Sequence, residues 1–319
     1  MHYAGLGVRK NIDEAAKWFG FAAEKGDREA VKWLEKVERQ RAAGLAFAPT
    51  KDPGLNEKSA AYRDAIDVYD RNELKNAFNR LHHLAERGDA DAQIAVGMMY
   101  MKGIHAERDY AKAIGWFRKA AGNGFARAQH NLGLIYRRGF GVKEDHKEAF
   151  KWFRLAALQG NTSAEFYMGI LRRDGQGASL NLEEAVKWFQ KATDKKHPGS
   201  TYNLAVMYAN GKGVKRNYKK AADLYQSVAE TGFPLAQNNL GQLYLNGLGV
   251  KQNYLTAINW FTRAALQGEI NAQYNIGLMF FKGLGVKKNE AVAFDWLLRA
   301  KKNGHPNADA TLKRMNTVH

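Results

Sequence analysis

Cysteine is absent from the sequence, which removes disulfides and thiolate chemistry. That absence fits a reducing cytosol and a disulfide-free exported protein equally well. No apolar run approaches the ~20 residues of a membrane-spanning helix, so no integral membrane segment is expected. Catalytic signatures are missing as well. There is no Gly-x-Ser-x-Gly elbow, and the Gly-x-Gly turns lack a third glycine and follow helical rather than strand patterns. His82 and His83 lack the i, i+4 spacing of a helical metal pair. The expectation is therefore a protein that is not an enzyme and carries no cofactor or metal. Acidic side chains are also in the minority, 32 against 49 basic, for a formal charge of +17. Residues 61–319 hold 38 basic and 23 acidic groups, so the excess lies mainly there. A field of that sign favours acidic proteins, anionic polysaccharide, anionic lipid or nucleic acid, without choosing among them.

What the chain has in abundance is glycine at a fixed interval. Gly103, Gly139, Gly175, Gly211, Gly247 and Gly283 stand 36 residues apart with no insertion. Such a period means stacked supersecondary units, each burying its apolar face only against its neighbours. Counting from each of these glycines, offset 10 is alanine in every copy (Ala15, then Ala113 through Ala293). Offsets 13 and 14 are Trp-Phe in most copies, as in Trp152-Phe153 and Trp260-Phe261. Offsets 10, 13, 14 and 17 share one helical face on which small and large residues alternate. The repeat tryptophans therefore belong to the interlocking core. Asn or Asp at offset 6 (Asn11, Asp109, Asp145, Asn181, Asn217, Asn253, Asn289) is placed to cap this helix B. Glycine at offset 21 ends it, with Lys196 the one departure.

Helix A follows, with Pro198, Pro234 and Pro306 in its expected first turn. Glycine at offset 30 (Gly97, Gly133, Gly169, Gly241, Gly277) is costly inside a helix, about 1 kcal/mol against alanine, and predicts a place where two helix backbones nearly touch. The register extends back to a divergent pair over 56–88, with its loop shortened to Asp70-Arg71-Asn72.

The expected domains are a partial repeat and cap-like helix over 1–43, a linker over 44–55, and a solenoid of about seven helix pairs over 56–319 with a capping helix at 305–316. One superhelix with an inserted loop is the alternative. Met1 to Val8 falls on the template of Met207 to Val214, so truncation upstream is expected, and a signal peptide cannot be judged. Trp33 stands outside the pattern, near a cap.

A helix reading Asn271-Ala272-Gln273-Tyr274-Asn275-Ile276-Gly277, a Gly-x-Gly-Val loop and an Ala-x-x-Trp-Phe-x-x-Ala-Ala helix closely resemble the Sel1-like repeat family, relatives of the tetratricopeptide repeat. The resemblance implies an all-α fold, a right-handed α-solenoid whose A helices line a concave face. It also implies a non-catalytic adaptor role in bacterial envelope, secretion, virulence or signalling assemblies. The loops Gly103-Ile104-His105-Ala106 and Gly175-Gln176-Gly177-Ala178 depart from the pattern, which leaves their shape open.

Two surfaces are candidate sites. On the inner face, Asn131, Asn203, Asn239 and Asn275 at offset 28, with His130, Phe166, Tyr202, Asn238 and Tyr274 at offset 27, could hold an extended peptide or glycan. For the asparagines an inter-repeat hydrogen bond is the favoured reading, and the variable aromatic neighbours are the better specificity candidates. At the loop edge, Arg137, Arg138, Lys143, Arg172, Arg173, Lys212, Lys215, Arg216, Lys251, Lys282, Lys287 and Lys288 form a basic stripe that either binds an anion or serves helix C-termini and solubility. The partner is thus expected to be a protein or peptide, possibly acidic, with an anionic polymer as the alternative. Asn161-Thr162-Ser163 fits a glycosylation sequon, a pattern common by chance.

Overall fold

The structure, a computed structural model, describes residues 74–316 with the exception of residue 105. The readings placed on residues 1–43, the 44–55 linker, Trp33 and the first half of the 56–88 pair lie outside the described residues. Among the described residues there are fourteen α-helices and no strand. They are α1 (Leu74–Glu86), α2 (Ala90–Lys102), α3 (Tyr110–Gly122), α4 (Ala126–Arg138), α5 (His146–Leu158), α6 (Thr162–Asp174) and α7 (Leu182–Asp194). Then come α8 (Pro198–Asn210), α9 (Tyr218–Ala229), α10 (Pro234–Asn246), α11 (Tyr254–Leu266), α12 (Ile270–Lys282), α13 (Glu290–Lys302) and α14 (Ala308–Asn316). Even-numbered helices are A helices, odd-numbered ones B helices. One compact unit ends at Val228 and holds α1 to α8 with nearly all of α9; a second begins at Ala229 and holds α10 to α14.

Side chains and glycines set the boundaries. Asp109, Asp145, Asn181, Asn253 and Asn289 are extended residues whose side chains accept the third helical amide of the B helix that follows, as in Glu148 N to Asp145 Oδ1 at 2.9 Å. Their own amides reach back to the A helix, closing each loop. Asp145 N donates to Tyr136 O at 2.9 Å. The two loops that depart from the pattern close the same way, Asp109 N on Tyr100 O at 3.0 Å and Asn181 N on Arg172 O at 2.8 Å. The B helices end in a glycine turn, except where Lys196 adopts φ 61, the one non-glycine with positive φ among the described residues. Pro198 and Pro234 open their A helices as expected. Pro306 does not. It precedes α14, which begins at Ala308 rather than 305, because His305 Nδ1 takes the Asn307 amide at 3.2 Å and holds a turn there. Asn161 caps α6, its side chain accepting from Ala164 N at 2.9 Å.

Packing is local, as the periodicity requires. The A helices α2, α4, α6, α10 and α12 each make their most extensive contact with the B helix after them, for example α4 with α5 and α10 with α11. Phe117, Phe153, Phe189 and Phe261 are wholly buried. Sealing such a ring contributes roughly 2–3 kcal/mol. The tryptophan one residue earlier reaches into the preceding pair: Trp152 packs on the core of α2 to α4, and Trp188 on that of α5 and α6. That is the interlock the alternating pattern predicts.

The offset-30 glycines give a more specific result than close backbones. A Cβ on Gly133 would stand 2.6 Å from Cδ1 of Phe153, and one on Gly241 would stand 2.8 Å from Cε1 of Phe261. Gly97, Gly133, Gly169 and Gly241 are each a notch for the edge of the neighbouring phenylalanine, and Gly277 is one for Leu297. Helix backbone comes second: the Ala257 carbonyl oxygen lies 3.2 Å from the same Gly241 position.

Candidate functional site

Burial along the A helices separates a core side from an accessible side. Offsets 25, 26, 29 and 30 are buried, as in Ala128, Gln129, Leu132 and Gly133 of α4. Offsets 27 and 28 lie between core and solvent, and their side chains bridge adjacent A helices. His130 of α4 meets the Tyr167 ring of α6 at 5.8 Å, and the Arg137 guanidinium lies 5.3 Å from the centre of that ring. Phe166 packs on His197 at 4.8 Å, and Tyr202 on Tyr225 at 5.9 Å. Asn203 donates to Gly199 O at 2.7 Å and accepts from Arg173. In the second unit Asn275 Nδ2 donates to Asn238 Oδ1 at 3.0 Å, and Asn238 Nδ2 to Asn239 Oδ1 at 3.2 Å. Tyr274 stacks on His305 with centroids 4.0 Å apart, its hydroxyl 3.1 Å from Thr311 Oγ1.

Both roles open to this face thus meet in the same residues. Asn238, 4% exposed, is spent on its neighbours. Asn131, Phe166, Tyr202, Asn203 and Tyr274 remain half-buried and reachable. Burial pushes His130 down to about 4, and its Nε2 is sealed without a partner.

The basic edge divides in a similar way. Arg172 pairs with Glu184 at 2.9 Å and lies 4.8 Å from the Phe150 ring centre. Arg173 pairs with Asp174 at 2.7 Å, Arg216 lies over Tyr218 at 5.5 Å, and Lys288 pairs with Glu290 at 2.7 Å. Arg138, Lys143, Lys212 and Lys215 of the first unit are exposed, as are Lys251, Lys282 and Lys287 of the second. No ion pair or ring contact is recorded for these seven among the described residues.

Two recurring constructions escaped the sequence reading. The first is a buried polar link at offset 26. Gln129 Nε2 donates to Ala121 O at 3.4 Å while its Oε1 accepts from Gln159, thirty residues on, at 2.8 Å. Gln237 repeats this with Ala229 and Gln267, and Gln273 with Ala265 and Asn303. Between α6 and α7 the link is ionic: Glu165, 4% exposed, accepts from Lys195 at 2.8 Å. The second is a cation over the repeat tryptophan, supplied three residues later on the same helix. Lys119 covers Trp116 at 4.1 Å, Lys191 covers Trp188 at 4.5 Å, Arg263 covers Trp260 at 4.7 Å and Arg299 covers Trp296 at 5.1 Å. In sequence these look like ordinary surface glutamines and lysines. Only their constant offset marks them.

No group of three or more His, Asp or Glu that could hold a metal occurs among the described residues. No described helix is long and apolar enough to cross a membrane.

The model of the Sel1 repeat matches residues 1–27, 90–125, 126–161, 162–197, 198–232, 234–269 and 270–305. A protective antigen of uropathogenic Escherichia coli displaying an SLR fold is 31% identical with a TM-score of 0.71, over 94% of this chain and 59% of that one. The chain thus spans under two thirds of that antigen. A Sel1 repeat protein from Oxalobacter formigenes is 32% identical with a TM-score of 0.69, over 76% of this chain and 97% of its own. The APC/C hetero-tetramer Cut9–Hcn1, 17% identical over 82% of this chain and 49% of its own with a TM-score of 0.51, shares the helical-repeat fold alone. No curated protein matches.

Proposed function

The chain belongs to the Sel1 repeat family, whose α-solenoids are generally protein-interaction scaffolds and typically non-catalytic, and on that premise we propose that it binds a protein or peptide across the accessible side of its A helices. The observation that carries this reading is the variation at one structurally constant place. Offset 27 holds His130, Phe166 and Tyr202 in one unit and Asn238 and Tyr274 in the other, while the glycine, alanine and phenylalanine positions around them hardly change. A fixed framework presenting varied side chains suits recognition. The half-buried aromatics among them offer large contact area at low entropic cost. A bacterial envelope, secretion, virulence or signalling assembly is the proposed setting, in keeping with the relatives from Escherichia coli and Oxalobacter formigenes.

The test is affinity capture from the native host with the parent chain and with Tyr202→Ala and Tyr274→Ala. Loss of specific partners in the variants is expected; recovery of every partner unchanged rejects the inner-face reading. A second reading, binding of an anionic polysaccharide or nucleic acid along the loops, is favoured by the seven uncommitted edge cations. Salt titration separates the two, because affinity for a polyanion falls steeply and linearly on a log-log plot.

A further inference from the structure

The unit from Gly139 to Gly175 breaks the pattern of its neighbours on the outside of its B helix. Where Lys119, Lys191, Arg263 and Arg299 cover their tryptophans, this unit has Leu155, 45% exposed. One turn on stands Leu158, 62% exposed. Lys151, Arg154, Leu155 and Leu158 follow i, i+3, i+4, i+7, so they share one face of α5, and all four are exposed. Isolated exposed leucines need no explanation, but two adjoining ones edged by cations in an otherwise regular array do.

We propose that this outer face of α5 docks an acidic protein segment bearing a bulky apolar side chain. Leu158, with Ala157 and Gly160, walls a cavity of about 390 Å³ between the α5–α6 turn and α7. Several of its charged lining groups have partners of their own. Lys195 donates to Gly160 O at 2.7 Å and to Glu165 at 2.8 Å, Asp194 accepts from Gln190 at 2.8 Å, and Lys191 covers Trp188. Leu158 and Ala157 give the wall an apolar part against which a bulky apolar side chain packs, beside charged groups at its rim. Arg154 and Lys151, the latter shared with Glu148 at 2.9 Å, supply the attraction for flanking carboxylates, as does the net charge of +17. An anionic membrane would meet the cations but has no side chain to place in a cavity, so the concave feature favours a protein segment. This surface lies on a B helix and does not depend on the A-helix reading.

The experiment titrates the whole chain against a labelled synthetic peptide of repeated Glu-Glu-Leu-Phe, beside vesicles of phosphatidylglycerol in phosphatidylcholine. The variant Leu155→Lys with Leu158→Asp installs the residue types that Lys191 and Asp194 provide one unit later, so the fold is retained and an unchanged melting temperature verifies it. The peptide should bind this variant at least about tenfold more weakly than the parent, and bind Tyr202→Ala as the parent does. Equal affinity for parent and double variant overturns the proposal. So does an absence of peptide binding, or binding to the vesicles without the peptide.

Discussion

Gly169 and Phe189 are fitted to each other: a Cβ on Gly169 would stand 2.5 Å from Cε1 of the ring. The relation recurs at Gly97, Gly133 and Gly241, and it explains a glycine tolerated inside a helix of thirteen residues. Replacing Gly169 by alanine should lose about 1–3 kcal/mol to overpacking, against a gain of about 1 kcal/mol in helix propensity. Gly277→Ala should cost less, because its neighbour is the side chain of Leu297, which can change rotamer where a ring cannot. Urea unfolding of both variants reads the difference. The net loss is then up to about 2 kcal/mol, and a Gly169→Ala chain stabilised by the full helix-propensity gain of about 1 kcal/mol would contradict the notch.

Lys196 occupies φ 61, a conformation that side chains with a Cβ adopt at a cost of about 1–2 kcal/mol. Every sister turn uses glycine there. Lys196→Gly should therefore raise the melting temperature, with a net gain of about 1 kcal/mol after the greater freedom of glycine in the unfolded chain is set against it. A lower melting temperature would show that the lysine side chain stabilises the turn more than its backbone strains it.

The ion pair between Glu165 and Lys195 stands where sister links are neutral amides. Removing one partner should be worse than replacing both. Lys195→Ala leaves a buried carboxylate without its cation and should cost about 1–3 kcal/mol, moderated because Lys195 itself is 40% exposed. Glu165→Gln with Lys195→Gln copies the link of Gln129 and Gln159 and should come within about 1 kcal/mol of the parent. A double-mutant cycle in denaturant measures the coupling, and additive losses would argue that the two side chains act independently.

His130 is held down to about 4 by burial, against about 6.5 in an unfolded chain. Between these values the unfolded state binds the extra proton, so stability is full above pH 6.5 and falls as the pH drops toward 4. The loss attributable to this group is about 3 kcal/mol. Burial also lowers His197 and His305, which act in the same direction. Asp109, Asp145 and Asp309, lowered by their hydrogen bonds, matter only in more acidic solution. His130→Asn should flatten the slope between pH 6.5 and 4 in denaturation series. An unchanged slope would mean that the ring takes up its proton without unfolding.

The helices, their order and most of their ends were legible because each depends on a local signal that the period repeats: a capping Asn or Asp, a left-handed glycine, an alanine-aromatic face. The start of α14 was misplaced by three residues because a side-chain contact, His305 Nδ1 with the Asn307 amide, competes with the helix there. The offset-30 glycines were read as backbone against backbone, whereas a side chain comes nearest, since backbone and ring edge leave the same trace in a sequence. The offset-27 and offset-28 residues could be assigned to the A helices by position, yet their division between bridging and reachable groups required geometry. Asn238 and Asn203 bear the same name and differ in exposure because their neighbours differ. The bonds of Gln129 to Gln159 and Gln237 to Gln267 stayed hidden, because residue types common on any surface give no hint of a partner thirty positions away.

Those glutamine links also govern how such a chain can change length. An acceptor in one module is matched by a donor in the next, so a step of 36 residues keeps these amides in register, while a cut within a module strands a buried amide. The natural quantum of growth or loss is therefore a whole module. Duplication and recombination that respect this step can lengthen the scaffold without redesigning its interior.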